Sequence, residues 1–365
     1  MQIRAAVATA KSEPFAVQAL ELDEPRPDEV LVRVVATGVC HTDLVVRDQY
    51  YPTPLPAVLG HEGAGVVERV GERVTRVQPG DHVVMSYLTC GDCLACREGR
   101  PGQCPDLFAL NFGGARADRS QALRQDGQTL SSHFFGQSSF GTYALANERN
   151  VVKVPRDVPL DILGPLGCGI QTGAGGVINS LRPRAGTSIA VFGAGSVGLS
   201  AVMAARVVGC ASIIAVDTKP NRLELARELG ATHVVNAAET NAVEAIQSIT
   251  AGGVNYSLET TAVPAVFRQA VDALQLRGVC GLIGAAPLGT EATFDMNTIL
   301  FGRTITGIIE GDSVPDVFIP RLIELYRQGR FPFDRLIRFY ALDDINQAAE
   351  DSLAGVTLKP VLRMG

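Results

Sequence analysis

The sequence predicts an α/β fold in which a β-rich N-terminal part precedes a doubly wound parallel sheet. Two observations support this prediction. Short valine-rich runs separated by glycine and proline turns fill the first 155 residues, and strand-like runs alternate with helix-like runs from about Pro183 to Ile309. The first pattern is typical of a small barrel-like domain, and the second implies right-handed crossovers between parallel strands.

Length and composition limit the classes of protein to which the chain can belong. It has 365 residues and a mass of 38.6 kDa, which suggests two domains with a substantial core. Apolar residues make up 46% and charged residues 19%, a balance that excludes an intrinsically disordered chain. The net charge is −6 and no basic run occurs, which argues against nucleic-acid or anionic-membrane binding. We therefore expect small-molecule partners.

The N-terminal part is predicted to be built from short strands joined by turns. These strands are Ile3 to Ala8, Val30 to Val35, Gly65 to Val70 and Asp81 to Ser86. The alternating part is predicted to contain strands Ser188 to Phe192, Ser212 to Val216, Tyr256 to Glu259 and Val279 to Ile283, with helices Val197 to Val208 and Pro220 to Leu229. The tail is predicted to contain helices Val317 to Tyr326 and Asp343 to Leu353 and a final strand, Lys359 to Met364.

Residues 185–205 carry no charge and have the length of a membrane span. Glycines at 186, 193, 195 and 198 interrupt this segment, however, and fit a strand, turn and helix better. The first 17 residues contain Arg4, Lys11 and Glu13 and no apolar stretch typical of a secretory signal. We expect a cytoplasmic protein without a membrane segment.

Four of the eight cysteines lie within fifteen residues, on a loop rich in glycine and proline. They follow the spacing C-x2-C-x2-C-x7-C, at Cys90, Cys93, Cys96 and Cys104. Disulfides are not expected in the cytoplasm, and four thiolates this close together can hold zinc in a closed tetrahedral site. An iron–sulfur cluster is the alternative, but the ferredoxin motif has three residues rather than seven before its last cysteine. The spacing favours structural zinc.

The predicted strand Ser188 to Phe192 leads into a glycine-rich turn, G-A-G-S-V-G, with a predicted helix behind it. In this context Gly193 permits a tight turn, Gly195 lets the backbone approach a pyrophosphate, and Gly198 lets the helix pack on the strand. Asp217 ends the next predicted strand, 19 residues after the last glycine. Its carboxylate is expected to bind the adenosine ribose and to repel a 2′-phosphate, which favours NAD over NADP.

Three further candidate metal ligands are scattered along the chain. Cys40 follows a predicted strand, His61 lies in a glycine-rich loop, and Cys168 lies between two glycines. Two thiolates and one imidazole would leave the fourth position of a zinc ion for water or substrate. This set resembles the zinc site of two cysteines and one histidine known in alcohol dehydrogenase.

The order of the motifs resembles that of the zinc-containing medium-chain alcohol dehydrogenases over essentially the whole chain. These motifs are G-V-C-H-T-D, G-H-E-G-A-G-V-V, the clustered cysteines, G-C-G-I-Q-T-G, and G-A-G-S-V-G with its acidic partner. Residues 134–141, 164–173 and 309–313 resemble benzyl (aryl) alcohol and geraniol dehydrogenases within that family. The resemblance implies a GroES-like catalytic domain, 1–169 and 310–365, with a Rossmann domain, 170–309, inserted into it. It also implies a homodimer or homotetramer.

The resemblance further implies roles for individual residues. The catalytic zinc would be held by Cys40, His61 and Cys168, and the structural zinc by Cys90, Cys93, Cys96 and Cys104. Thr42 would bond the substrate hydroxyl, Asp43 would orient His61, and Glu62 would either assist ligand exchange or only structure its loop. The implied cofactor contacts are His41, Thr172, Gly193, Gly195, Val197, Gly198, Asp217, Arg222 and Lys359, with His41 and Lys359 at the pyrophosphate and Thr172 and Val197 at the nicotinamide. The implied substrate pocket includes Phe134, Phe135 and Ile309.

The implied reaction is zinc-dependent oxidation of an alcohol to its aldehyde, with hydride transfer to NAD⁺ in a cleft that closes between the domains. Polyol dehydrogenases of this family commonly carry Glu at the position of Cys168. This cysteine and the aromatic pocket wall predict a hydrophobic primary alcohol, benzylic or allylic at the hydroxyl carbon; geraniol or a broad range of alcohols is the alternative. Val45 replaces the relay histidine of liver-type enzymes, which leaves the outer proton route open.

Two alternatives belong to other classes of function. A zinc ribbon formed by residues 90–104 could bind nucleic acid, but the net charge of −6 and the absence of basic and aromatic interleaving oppose this. The second alternative is a non-catalytic NAD-binding protein, which would retain the fold of the family but not its activity. The three-ligand set opposes that interpretation, because a structural protein needs no open metal position.

Overall fold

The computed structural model describes all 365 residues, which divide into two units by their contacts. Unit 1 comprises Met1–Cys168, Val314–Pro320 and Asp334–Gly365, and unit 2 comprises Gly169–Ser313 and Arg321–Phe333. The second unit therefore interrupts the first. Arg321–Phe333, which the sequence assigned to the catalytic part, packs with unit 2 instead.

Unit 1 begins with ten strands and three short helices. The strands are β1 (Gln2–Ala8), β2 (Ala16–Leu22), β3 (Glu29–Gly38), β4 (Ala57–Val58), β5 (Glu62–Val70), β6 (His82–Met85), β7 (Leu123–Gln125), β8 (Gln128–Leu130), β9 (Tyr143–Asn147) and β10 (Val151–Lys153). The helices are α1 (His41–Arg47), α2 (Leu94–Arg97) and α3 (Leu107–Phe112). Valine and other β-branched or small residues dominate the strand positions that face the core.

Unit 2 alternates strands with helices. Its helices are α4 (Gly169–Gly175), which continues as a π-helical segment (Gly176–Leu181), α5 (Ser196–Val207), α6 (Pro220–Leu229), α7 (Ala242–Thr250), α8 (Pro264–Asp272) and α9 (Met296–Leu300). Its strands are β11 (Ser188–Phe192), β12 (Ser212–Asp217), β13 (His233–Asn236), β14 (Val254–Glu259), β15 (Leu274–Leu282) and β16 (Thr304–Gly307). The remaining elements are α10 (Pro315–Arg327), β17 (Ile337–Ala341), α11 (Ile345–Ala354) and β18 (Lys359–Arg363).

All six strands of unit 2 are parallel, in the order β13-β12-β11-β14-β15-β16. Numbered within the unit, this is the order 3-2-1-4-5-6 of a dinucleotide-binding Rossmann sheet. Its central strands are buried and apolar, as expected when helices cover both faces. The strand order reverses between β11 and β14, so the turn after β11 lies at the topological switch point where ligands bind.

The strands of unit 1 form two sheets. One has the order β4-β1-β2-β7-β8, and the other has the order β10-β6-β5-β3-β18-β17, with β9 also pairing with β3. The C-terminal strand β18 pairs antiparallel with the end of β3, where Val361 lies opposite Gly38. This pairing brings Lys359 to the loop that carries Cys40, although 319 positions separate them in the sequence.

The predicted fold class is confirmed, and the uncharged segment is accounted for. Residues 185–205 form β11, the glycine turn and most of α5, and none of the helices has both the length and the apolar character that crossing a membrane requires. The sequence prediction missed β13, α7 and α8, which lie between the predicted elements of unit 2. Strand β15 also begins at Leu274, five residues before the predicted start.

Candidate active site and metal centres

Four side chains from three loops of unit 1 converge on one point. Cys40 lies between β3 and α1, His61 and Glu62 lie at the start of β5, and Cys168 follows a short 3-10 helix. Their ligand atoms all lie within 4.8 Å of one another, and three of the residues are buried. We call this group the Cys–His–Glu cluster.

The imidazole of His61 is held in one orientation. Its Nδ1 lies 2.9 Å from Oδ1 of Asp43, and neither side chain has exposed surface. The other ring nitrogen, Nε2, is buried and has no hydrogen-bond partner. Because a buried polar atom without a partner is costly, and because the carboxylate fixes the proton on Nδ1, the lone pair of Nε2 suits a metal ion. The donor set therefore fits zinc.

Asp43 connects the two loops that carry Cys40 and His61. Its Oδ2 accepts a hydrogen bond from the backbone N–H of Cys40 at 2.8 Å, and its Oδ1 accepts one from the N–H of Gly60 at 3.1 Å. With the bond to the imidazole, a single buried carboxylate fixes both loops. This geometry is the one that the predicted role of Asp43, the orientation of the His61 ring, requires.

Neighbouring charges shift the pKa values of Cys40 and His61 in opposite directions. A hydrogen bond with Cys168 and the positive charge of Lys359 hold the pKa of the Cys40 thiol well below its ordinary value, although burial acts in the opposite direction. Burial lowers the pKa of His61, but the Asp43 carboxylate outweighs it and raises that pKa overall. The shift at Cys40 favours the thiolate that zinc requires, whereas the shift at His61 favours the imidazolium, which has to release its Nε2 proton when a metal ion binds.

Glu62 forms a buried ion pair with Lys359. The ammonium donates to Oε1 at 2.8 Å and to Oε2 at 2.9 Å, and the exposed fractions of the two side chains are 0% and 2%. A Cβ atom at Gly38 would overlap the Glu62 carboxylate, so a glycine is required there. The predicted contact of Lys359 with the cofactor pyrophosphate stays a prediction; in this structure the ammonium is engaged by Glu62.

The four clustered cysteines form a second site on the loop around α2, which we call the four-cysteine site. Sγ of Cys90 lies 3.5 Å from that of Cys104 and 4.0 Å from that of Cys96. Tetrahedral zinc with Zn–S bonds near 2.3 Å would place its sulfurs about 3.8 Å apart. Backbone N–H groups of Cys93 and Asp92 hold the pKa of Cys90 at about 7. None of the eight cysteines forms a disulfide, and this compact set suits a single ion.

The glycine turn of unit 2 has the geometry that a pyrophosphate requires. Gly193 has a φ of +94°, a Cβ atom at Gly198 would overlap the carbonyl oxygen of Gly193, and Gly195 faces open space at the N-terminus of α5. Oδ2 of Asp217 accepts a hydrogen bond from Ala194 N–H at 2.6 Å. Arg222 reaches the same carboxylate, with Nη1 at 3.9 Å. Asp217 and Arg222, which are both predicted to contact the adenosine ribose, therefore lie next to each other.

Comparison with known proteins matches a part of the chain in each unit to a known protein family. The family model described as alcohol dehydrogenase GroES-like domain matches residues 26–156, and the one described as zinc-binding dehydrogenase matches residues 196–327. Geraniol dehydrogenase from Castellaniella defragrans is 48% identical over 98% of this chain and 97% of its own length. The chain belongs to the zinc-containing medium-chain alcohol dehydrogenase family.

Two solved structures are similar to this dehydrogenase. An alcohol dehydrogenase zinc-binding domain protein from Burkholderia ambifaria is 61% identical, with a TM-score of 0.98 over 100% of this chain and 99% of that chain. Benzyl alcohol dehydrogenase from Acinetobacter calcoaceticus is 54% identical, with a TM-score of 0.97 over the full length of both chains. The predicted family and the predicted class of enzyme, a zinc alcohol dehydrogenase, are confirmed.

Thr42 and His41 of the dehydrogenase begin helix α1 directly after Cys40. Oγ1 of Thr42 lies 3.8 Å from Sγ of Cys40, and the residue is half-buried. His41 is exposed, as a cofactor-binding residue would have to be. The roles of Thr42 at the substrate and of His41 at the cofactor stay predictions.

Thr172 and Val197 lie on two helices of unit 2 that pack closely. A Cβ atom at Gly173 would overlap the carbonyl oxygen of Val197, so α4 and α5 approach at a glycine. The hydroxyl of Thr172 donates to Oε2 of Glu310 at 3.3 Å. The sequence prediction overlooked Glu310, which also accepts from Gln171 at 3.3 Å. Glu310 lies in the stretch 309–313 that carries the family resemblance, but that resemblance gave it no role, since a single acidic residue in a loop is common.

The three predicted pocket residues differ in exposure. Phe134 is 1% exposed and belongs to the core of unit 1, and its place in the substrate pocket stays a prediction. Phe135 is 6% exposed and stacks on His61, with ring centroids 4.4 Å apart and planes inclined by 28°. The imidazole of His61 is the nearest ring to Phe135, ahead of Phe134 at 4.9 Å and Phe112 at 5.2 Å. Ile309 is 49% exposed and remains available for contact with a ligand.

Proposed function

We propose that the enzyme oxidises hydrophobic primary alcohols, benzylic or allylic at the hydroxyl carbon, to aldehydes, with NAD⁺ as the hydride acceptor. The observation that carries this proposal is the buried Nε2 of His61, held by Asp43 and without a hydrogen-bond partner, beside two cysteine sulfurs. These two thiolates and one imidazole would form a three-ligand zinc site that leaves one position for an exchangeable ligand.

Cys40, His61 and Cys168 would hold the catalytic zinc, and Cys90, Cys93, Cys96 and Cys104 would hold the structural one. When bound, zinc polarises the alcohol hydroxyl and lowers its pKa, and NAD⁺ supplies the acceptor for the hydride. The hydroxyl of Thr42, 3.8 Å from Sγ of Cys40, would hydrogen-bond the substrate oxygen and pass its proton on towards solvent. The alcohol carbon loses a hydride, the oxygen loses a proton to solvent, and the product is the aldehyde.

NAD⁺ would be bound by the glycine turn and Asp217 of unit 2. The carboxylate lies at the carboxyl end of β12. It accepts hydrogen bonds from three backbone N–H groups, those of Ala194, Thr218 and Lys219, which fix its position. A ribose diol can hydrogen-bond to this carboxylate, whereas a 2′-phosphate would be repelled by it. We therefore propose NAD rather than NADP.

The substrate preference is supported by the relatives and by the donor set. Similar proteins carry the names benzyl alcohol dehydrogenase and geraniol dehydrogenase, and both of these alcohols are primary and hydrophobic. Phe135 would present apolar surface to the substrate, and an apolar wall gains about 1–3 kcal/mol for each methylene that it buries. A two-carbon alcohol would lose several such contributions.

The test is kcat/KM with NAD⁺ for ethanol, hexanol, benzyl alcohol, geraniol and sorbitol. We expect benzyl alcohol and geraniol to exceed ethanol by about 100-fold or more, and sorbitol to be turned over least well. Comparable values for ethanol or sorbitol would refute the substrate class. Absence of NADH formation with every alcohol, in protein that holds its zinc, would refute the activity itself.

We also propose a homo-oligomer that forms through unit 2. Strand β16 is the edge of the parallel sheet, and the chain segment before it exposes large apolar side chains. The exposed fractions are 85% for Met296, 75% for Leu300 and 62% for Phe301. Apolar surface next to an unpaired strand edge is typical of an interface between copies.

A further inference from the structure

The segment His133–Ser138 has an unusual backbone for a buried stretch of chain. The φ angles are +61° at His133, +52° at Phe135, +65° at Gly136 and +50° at Ser138, and all of these residues are buried. Positive φ is unfavourable for residues with a side chain and persists only where surrounding contacts impose it. The contacts made by this segment therefore indicate what its conformation serves.

The first contact is the ring of Phe135 on His61. The two rings are nearly parallel at a centroid distance of 4.4 Å, while the edge of Phe134 lies against the same imidazole at 5.4 Å. Asp43 fixes the imidazole in its own plane through Nδ1. The stack blocks rotation out of that plane, so the direction of Nε2 is determined by two independent contacts.

The second contact is the side-chain amide of Gln137, which is 1% exposed. Its Nε2 donates to the carbonyl oxygen of His61 at 3.0 Å and to that of Ser86 at 3.1 Å, and its Oε1 accepts from Gly63 N–H at 3.2 Å. The hydroxyl of Ser86 donates to the carbonyl oxygen of Gly167 at 2.6 Å, one residue before Cys168. Two side chains thus link the loop of His61 to the loop of Cys168.

We propose that Phe135 and Gln137 are positioning residues for the metal ligand His61, and that Gln137 with Ser86 sets the separation between His61 and Cys168. This inference rests on the proposed function only in requiring that the cluster holds a metal ion. Neither residue touches the reacting atoms. They act by fixing the ligands before the metal binds, which raises affinity and defines the coordination geometry.

The test compares three variants with two controls. Phe135→Leu removes the stack, Gln137→Met removes the amide bonds at similar volume, and Ser86→Ala is a mild change that removes the bond to Gly167. Phe15→Leu and Asn346→Leu are matched controls: Phe15 is a buried aromatic of unit 1 in an edge-to-face pair with Phe140, and the Asn346 amide bonds the backbone of Phe15 in both directions. Neither contacts His61.

The measurements are retention of zinc against a chelator and the visible spectrum of the cobalt-substituted protein. The four-cysteine site, which none of these residues contacts, serves as the internal reference in every sample. We expect the three variants to lose affinity for the catalytic-site metal about 10- to 100-fold, with a shifted cobalt spectrum and unchanged retention at the four-cysteine site. Phe135→Tyr, which keeps the stack, should restore both properties, and the controls should match the parent.

Affinity and spectrum indistinguishable from those of the controls in Gln137→Met and Ser86→Ala would overturn the inference. So would equal loss of metal from both sites, because that would show general destabilisation. A parent protein that binds metal only at the four-cysteine site would refute the proposed function instead, and this result is visible before any variant is made. If Phe135→Leu fails to fold, Ser86→Ala still tests whether the bond to Gly167 sets the separation between His61 and Cys168.

Discussion

The imidazole of His61 and the carboxylate of Asp43 form a hydrogen bond of 2.9 Å between two side chains that have no exposed surface. The same carboxylate accepts the backbone N–H groups of Cys40 and Gly60. A single acidic residue therefore sets the tautomer of one metal ligand and the loop conformation of another. This relationship leads to the first prediction.

Replacing Asp43 with asparagine is expected to lower both zinc affinity at the catalytic site and kcat/KM by about 10- to 100-fold, because the charge that favours the Nδ1–H tautomer is lost. Zinc retention during dialysis against a chelator and steady-state kinetics provide the measurement. Asp48→Asn is the control, since Asp48 pairs with Arg47 at the other end of α1. Parent-like values for both quantities in Asp43→Asn would show that orientation by Asp43 is unimportant.

The two ligand sets predict two zinc ions per chain. Cys93→Ser is expected to lose the ion of the four-cysteine site and Cys168→Ser that of the Cys–His–Glu cluster, because each removes one thiolate donor. Elemental analysis of the purified proteins measures the result, with Cys210→Ser as a control for a buried cysteine outside both sets. One zinc per parent chain, or iron with acid-labile sulfide, would contradict this prediction.

Cofactor choice is predicted to depend on the charge of Asp217. In the parent we expect a strong preference for NAD⁺, and in Asp217→Gly we expect the ratio of kcat/KM for NAD⁺ to that for NADP⁺ to fall by about tenfold or more. Removing the carboxylate also leaves Arg222, 3.9 Å away, to face a 2′-phosphate. Asp217→Asn separates the loss of charge from the loss of the backbone hydrogen bonds. Equal use of both cofactors by the parent would refute the assignment.

Association is predicted to depend on the apolar residues before β16. The double variant Leu300→Glu with Phe301→Glu is expected to reduce the mass in solution towards 38.6 kDa, because charge on these exposed side chains opposes burial. Light scattering at micromolar concentration measures the mass, and Val356→Glu changes an exposed apolar residue elsewhere. A parent mass of one chain would disprove the oligomer.

Acid sensitivity of unit 1 is predicted from Glu29. Burial alone would raise the pKa of this carboxyl, but hydrogen bonds from His133 and Arg116 outweigh it and hold the pKa at about 2, below the ordinary 4.5. A lowered pKa in the folded state stabilises the protein above pH 4.5, and this contribution disappears as the pH falls towards 2. It amounts to roughly 3 kcal/mol at neutral pH.

The expected result is that Glu29→Gln lowers the free energy of unfolding at pH 7 and that its difference from the parent narrows as the pH falls through this window. Urea unfolding at several pH values gives the comparison, with the exposed Glu13→Gln as a control. A difference that stays constant with pH would assign the effect to packing rather than to charge.

The sequence by itself determined the features that depend on neighbouring residues. The turn after β11 follows from glycines at fixed offsets behind an apolar run, and the four-cysteine site follows from four thiols within fifteen residues. Both are local, because short stretches of chain can adopt only a few conformations that satisfy their backbone and ligands. The positions of both sites could therefore be predicted without knowledge of the whole fold.

Only the tertiary structure decided which distant side chains share an environment. It paired Lys359 with Glu62, because β18 returns to the end of β3 and buries the ammonium beside a carboxylate. It also turned Phe135 onto His61 and joined Gln137 to the metal-ligand loops. Such contacts depend on how strands far apart in sequence pair and on what a low-dielectric interior requires of buried charges, and neither is encoded in local spacing.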